Sequence, residues 1–203
     1  MGADSVTIHL REDRRHIIDK DIFEIRDEVG LPMNLEIAAT QEMLQIALKA
    51  KPNSCCIVPE KREELTTEGG LDVSSNISWL KDFSSKLRAQ NIKTSLFIDA
   101  DFSQIDAAKQ VGAEIIEFHT GSYCNLTGAK REAELRKISE ACAYASKLGI
   151  ICHAGHGLTY ETVTDIVKIP QIEELNIGHF LMGEAILHGL PTVIKKMKEV
   201  LKS

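Results

Sequence analysis

Apolar and polar positions alternate at the start of the chain. Val6, Ile8 and Leu10 fall on one side of an extended backbone, and Thr7 and His9 fall on the other. This predicts a strand whose end carries an imidazole and, at Arg11, a guanidinium, with His16 five residues further on. Helical spacing takes over at Ile22, Ile25 and Val29 and stops at Gly30. The same exchange of periods then repeats. Residues 33–38 (MNLEIA) predict a second strand. Thr40 N-caps a helix with Met43, Leu44, Ala47 and Leu48 on one stripe, and Pro52-Asn53 breaks it. Residues 54–59 (SCCIVP) predict the third strand.

A long polar segment follows, residues 60–75, containing Thr66, Thr67 and the Gly69-Gly70 pair. Connections of that length inside a compact domain are usually lids or disordered segments. Ile77, Leu80, Phe83 and Leu87 mark a helix over 76–90. Residues 94–99 (TSLFID) and 114–119 (EIIEFH) predict strands on either side of a helix at 103–111. A long helix at about 130–148 uses Leu135, Ile138 and Cys142. The sixth strand, 150–153, runs into AGHG. A short helix at 159–167 precedes the seventh strand, 174–179 (ELNIGH), and two helical stretches split near Gly189-Leu190-Pro191 close the chain.

Strands that alternate with helices predict one α/β domain over residues 1–203, with a parallel sheet and helices outside. An open doubly wound sheet and a closed barrel both fit the alternation. No GxGxxG follows any strand, which counts against a dinucleotide site. The net charge is -6 with no basic patch, so nucleic acid is a poor partner. No apolar run is long enough to span a bilayer, and no signal peptide opens the chain. The five cysteines form no CxxC, which predicts buried reduced thiols in a cytoplasmic protein.

Polar side chains gather at the strand ends, where parallel α/β folds place their sites. They are His9 and Arg11, Asn34 and Glu36, Glu60, Asp99, Glu117 with His119, His156, and His179. Asn34 and Glu36 share a face opposite Met33, Leu35 and Ile37, and Glu117 and His119 share one opposite Ile116 and Phe118. In a barrel the apolar face packs on helices, so these polar side chains would converge on the axis. Desolvation would raise the pKa of Glu36 and a cation would lower it again, which suits a general base. Glu117 fits either such a role or a structural pair with His119 or an Arg. The histidines lack HxH and HExxH spacing, so no metal is expected. The turns AGHGLT (154–159) and NIGHFLMG (176–183) each enter a helix, and small residues there let amides approach a phosphate.

These residues carry a family resemblance. HLREDRRHI from His9, MNLE from Met33, VPEKREELTTEGGLDV from Val58, SLFIDAD from Ser95, EFHTG from Glu117, AGHGL from Ala154 and NIGH from Asn176 resemble pyridoxine 5'-phosphate synthases, in order along the whole chain. The resemblance implies a TIM-type (β/α)8 barrel that is cytoplasmic and octameric. It implies condensation of 1-deoxy-D-xylulose 5-phosphate with 3-amino-2-oxopropyl phosphate, giving pyridoxine 5'-phosphate, phosphate and water without metal or organic cofactor. His9 and Glu36 would be proton acceptors, His156 a proton donor, and Glu117 a transition-state stabiliser. Arg11, His16 and Thr66 would hold the deoxyxylulose phosphate. Gly157, Gly178 and His179 would hold the aminoketone phosphate. The partners expected are small phosphorylated substrates and further copies of the chain.

One departure stands out. The family begins with a further strand and helix, the strand ending in an Asn-x-Asp-His pattern, and these 203 residues show no such pattern. Seven βα units are therefore expected, with an open slot between the strand at Val6 and the strand at Leu175 and exposed apolar interior along it. Two readings compete with the enzyme: a remnant that binds phosphate ligands or partner subunits without turnover, and a metal-dependent barrel hydrolase.

Overall fold

In the computed structural model, which describes residues 2–61 and 69–202, strand and helix alternate as the pattern predicts. The elements in chain order are β1 (Val6–His9), α1 (Asp19–Glu28), β2 (Met33–Ile37), α2 (Gln41–Ala50), β3 (Ser54–Ile57), α3 (Ile77–Arg88), β4 (Lys93–Ile98), α4 (Phe102–Val111), β5 (Ile115–His119), α5 (Gly121–Asn125), α6 (Gly128–Lys147), β6 (Ile151–Gly155), α7 (Val163–Ile166), β7 (Ile172–Asn176), α8 (His179–His188) and α9 (Leu190–Val200).

Local chemistry sets the helix ends. The Thr40 hydroxyl accepts from the Met43 amide at the start of α2. The Asp101 carboxylate accepts from the Ser103 and Gln104 amides at the start of α4. Gly112 ends α4 with φ +82, and the space a Cβ would take there is filled by the Arg88 guanidinium.

Among the described residues the sheet has seven strands in sequential order, all neighbours parallel. A doubly wound sheet would reverse its order at a switch point, and this one does not. It curls instead, until the Thr7 hydroxyl of β1 donates to Asn176 Oδ1 of β7 at 2.7 Å. The molecule is a seven-unit (β/α) barrel.

Register separates the two faces. His9, Glu36, Cys56 and Ser95 lie side by side across the first four strands, and Phe97, Glu117, His153 and Glu174 across the last four. These face the axis. The alternate residues, Leu35, Cys55, Leu96, Ile116, Phe118 and Cys152, are buried against the helices with Leu44, Leu80, Phe83, Ile105 and Ile138. All five cysteines are free, and all but Cys124 are fully buried.

No ladder joins β1 to β7. The expected slot is therefore present in the backbone hydrogen bonding, yet side chains cross it. An apolar interior was expected along the slot, and the side chains that meet there are polar. Besides Thr7 and Asn176, Ser5 hydrogen-bonds Glu174, and Lys198 of α9 reaches Asp4 at 2.5 Å.

Among the element boundaries that differ from expectation, three have a clear local cause. β6 extends to Gly155, because His119 and Gly155 continue the ladder. β7 ends at Asn176, since Gly178 already N-caps α8. α7 is confined to Val163–Ile166, because Thr159 and Thr162 exchange amide-to-hydroxyl hydrogen bonds of 2.9 and 3.2 Å ahead of it.

Candidate active site

The inward residues at the carboxyl ends of the strands form two groups with a polar chain beneath them. The first group centres on His9, the last residue of β1. Its Nε2 lies 3.0 Å from Glu60 Oε1, and its Nδ1 lies 3.8 Å from Glu36 Oε2. Glu60 Oε2 also accepts from the Glu12 amide at 3.0 Å, so this carboxylate spans the turn after β1. Burial raises the pKa of Glu36, and His9 pulls it back down. That balance is the one expected of Glu36, with His9 as the opposing partner.

Glu117 sits deeper, fully enclosed by the barrel. A line of donors points at it. The Ser54 hydroxyl donates to Asn34 Oδ1 (2.8 Å), Asn34 Nδ2 to Thr7 Oγ1 (3.5 Å), Thr7 to Asn176 Oδ1 (2.7 Å), and Asn176 Nδ2 to Glu117 Oε2 (2.8 Å). The Cys56 thiol meets the same oxygen at 3.8 Å. Glu117 Oε1 occupies the place where a side chain at Gly155 would stand. Burial first, and the nearby Glu36 second, push the Glu117 pKa well above the usual carboxylate range. The raised value favours the neutral carboxylic acid inside the barrel. The alternatives of a pair with His119 or an Arg are not what the fold makes: the partners of Glu117 are Asn176 and Cys56.

The second group is aromatic. His119 Nδ1 lies 3.1 Å from Asp99 Oδ1. The His119 ring is 5.1 Å from the His156 ring, and Phe97 lies 5.1 Å and 6.2 Å from the two. His156 adopts φ +77 after β6, and the Thr120 hydroxyl donates to its carbonyl at 2.7 Å. Burial, then His119 and His179, lower the His156 pKa.

The expected phosphate residues are less gathered. Gly157, with φ +85, packs on Cys124 and Gly121. Gly178 and His179 are exposed at the start of α8, with open space where a Gly178 Cβ would point. Arg11 Nε is buried 3.5 Å from Asp13 Oδ1 without a hydrogen bond among the described residues. His16 is exposed, with φ +75. Thr66 lies outside the described residues, as does most of the segment expected to act as a lid.

Sequence reasoning left Thr7, Ser54, Cys56, Phe97 and Asn176 out of the site, and it placed Asn34, Glu60 and Asp99 at strand ends without a role. The signal that finds them is parity, since those of them that lie on strands share the inward face with Glu36 and Glu117.

No helix among the described residues is long and apolar enough to cross a membrane. Among the same residues, no three His, Cys, Asp or Glu side chains are grouped so as to hold a metal ion.

The family described as "Pyridoxal phosphate biosynthesis protein PdxJ" matches residues 1–203. The chain is 54% identical over 203 residues to the "Pyridoxine 5'-phosphate synthase" of Sulfurihydrogenibium sp., covering 98% of this chain and 84% of that protein. It is 54% identical over 202 residues to the protein of the same name from Ehrlichia canis, covering 100% and 84%. Among solved structures, KGPDC from Streptococcus mutans superposes with a TM-score of 0.67 at 12% identity, over 98% of this chain and 85% of that one. The YdjI aldolase from Escherichia coli K12 superposes with a TM-score of 0.62 at 13% identity, over 98% and 79%. At such identities these two structures speak for the fold alone. The chain belongs to the PdxJ family of enzymes.

Proposed function

We propose that this chain makes pyridoxine 5'-phosphate by condensing 1-deoxy-D-xylulose 5-phosphate with 3-amino-2-oxopropyl phosphate, with release of phosphate and water. The observation that carries the reading is one barrel mouth holding both acid–base groups, His9 with Glu36 and His156 with His119. The condensation forms an imine between amine and ketone. Carbons are then deprotonated, phosphate leaves, the ring closes and water is lost. Each step moves a proton, so several acids and bases are needed around one cavity.

His9 and Glu36 act as proton acceptors. A carboxylate whose pKa burial raises is a stronger base at neutral pH than an exposed one, and this suits Glu36 to proton abstraction. His156 donates protons to leaving oxygens. Glu117, kept neutral, offers a hydrogen bond to charge that develops at the axis. Arg11, His16 and Thr66 hold the deoxyxylulose phosphate, and Gly157, Gly178 and His179 the aminoketone phosphate. No metal or organic cofactor is needed for proton traffic of this kind. The chain works as a cytoplasmic homo-oligomer.

The test is product formation by the purified 203-residue chain, with both substrates supplied. Turnover supports the enzyme. A folded protein that binds inorganic phosphate without turnover supports the second reading, a non-catalytic ligand binder, which the missing β1–β7 ladder favours.

A further inference from the structure

Asp99 has no place in the roles above and His119 enters only as the ring beside His156, yet both are almost enclosed, with side chains 6% and 10% exposed. Asp99 uses both oxygens. Oδ1 faces His119 Nδ1 at 3.1 Å, and Oδ2 accepts from the Gly70 amide at 3.1 Å. A carboxylate on Nδ1 puts the proton of a neutral imidazole on that nitrogen and leaves Nε2 with its lone pair. That Nε2 edge turns toward Gly121 and His156. A Cβ on Gly121 would stand 2.6 Å from His119 Nε2 and 3.1 Å from His156 Cδ2. Phe97 backs both rings.

The glycines on the other side fit as closely. A Cβ at Gly69 would meet His119 Cε1 at 3.3 Å, and one at Gly70 would meet the Asp99 amide at 2.5 Å. The backbone of Gly69-Gly70 therefore closes over the pair, and Gly121 lets the two imidazoles approach. At Gly70 and Gly121 only a residue without a Cβ allows this packing, and the ring positions follow from it.

We infer that Asp99 and His119 are a positioning pair for His156: Asp99 fixes the tautomer and orientation of His119, and His119 sets the protonation behaviour of the His156 ring. The inference rests on His156 being the proton donor of the proposed reaction. His119 acts through His156 and is not itself a catalytic residue. The groups that face His156 are His119 on β5 with Asp99, just after β4, behind it, Glu117 below Gly155, Cys124 on α5 and His179 at the start of α8. Of these, His119 and His179 hold the His156 pKa below its ordinary value in addition to burial. Two adjacent imidazoles cannot both charge freely, so the His156 ring gains its proton less readily with the His119 ring 5.1 Å away.

His119→Asn tests this. The amide keeps an N–H for Asp99, and so preserves the Gly70 contact, but it cannot titrate. Following the His156 ring by NMR, the expected result is a midpoint raised by about half a pH unit or more. Turnover should fall by about tenfold with KM for either substrate changed less than about twofold. The alkaline limb of the kcat profile should move to higher pH, because an acid with a higher pKa stays protonated longer. In the unaltered protein, the His156 titration curve should depart from a single step because of its neighbour, a measurement that needs no variant.

An unchanged His156 midpoint in the variant would overturn the inference, as would a single-step His156 titration in the unaltered protein. Loss of turnover with an unchanged midpoint would mean that His119 is merely structural. The NMR result stands whether or not the chain makes pyridoxine 5'-phosphate. Failure of the proposed reaction with coupled titrations would therefore sink the function and leave the pair intact.

Discussion

Glu117 shows how one side chain can set both activity and stability. An unfolded chain gives it an ordinary pKa near 4.5, while burial raises the native value well above that. Below pH 4.5 both states hold the proton. As pH climbs above 4.5 the unfolded state ionises and the native state does not, so stability falls until the raised native value is passed. Glu117→Gln imitates the neutral acid and removes this dependence. Urea unfolding at pH 5 and pH 8 should show the variant gaining on the parent as pH rises, while turnover falls by about 10²-fold or more. Equal differences at the two pH values would mean that Glu117 is ionised in the native state. Asn176→Ala should cost about 2 kcal/mol, because it leaves both Thr7 Oγ1 and Glu117 Oε2 short of a partner inside the barrel. A loss within about 0.5 kcal/mol would deny the chain of donors any structural weight. The acid and its inward position were legible in the sequence, since Glu117 and His119 share a face opposite Ile116 and Phe118. Its partners were not. Asn176 lies 59 residues away, and only the curvature of the whole sheet brings it to Glu117.

Elements were legible wherever a period had room to repeat. α3 buries Leu80, Phe83 and Leu87 at the expected spacing, and α2 begins at the Thr40 cap. α5 was missed because GSYCN is a single turn, too short for any period, and is held by Thr120 and the packing of Gly121 under two imidazoles. The end of β7 was misplaced because apolar alternation continues through Ile177, although Gly178 already starts the helix. Caps are the feature whose energy is easiest to check. Asp101 accepts from two amides at the head of α4, at 2.7 and 3.3 Å. Asp101→Ala should lower stability by about 1 kcal/mol. The midpoint of urea unfolding should fall with the slope unchanged, and an unmoved midpoint would show that water replaces the cap at no cost.

At the scale of the whole molecule the informative feature is the seam between β1 and β7. The Val6 and Leu10 amides donate to Pro32 and Glu36 carbonyls of the β2 side. Alternation along a parallel strand then turns the Thr7 and His9 amides toward β7, with which no ladder forms. The barrel is thus closed by side chains where its other neighbours are joined by backbone: Thr7 to Asn176, Ser5 to Glu174, and Lys198 to Asp4. A hydroxyl–amide hydrogen bond contributes about 1 kcal/mol, much less than a ladder of several bonds, so the seam should open before the rest of the sheet. Amide exchange followed by NMR should find Thr7 and His9 exchanging at least about tenfold faster than Leu96 and Phe118, which lie in the central strands β4 and β5. Thr7→Val keeps the shape and removes the only hydroxyl that crosses to Asn176 among the described residues. In that variant, exchange at His9 should quicken further, while Leu96 should change only as far as global stability does. The result matters for function because His9 is both a seam residue and a proposed base: a loosened seam would let the end of β1, still paired to β2, shift His9 relative to β7 and lower kcat without touching the groups around His156. Equal protection of Thr7, His9 and Leu96 would mean that the two strands pair in solution and that seven units close the barrel by backbone.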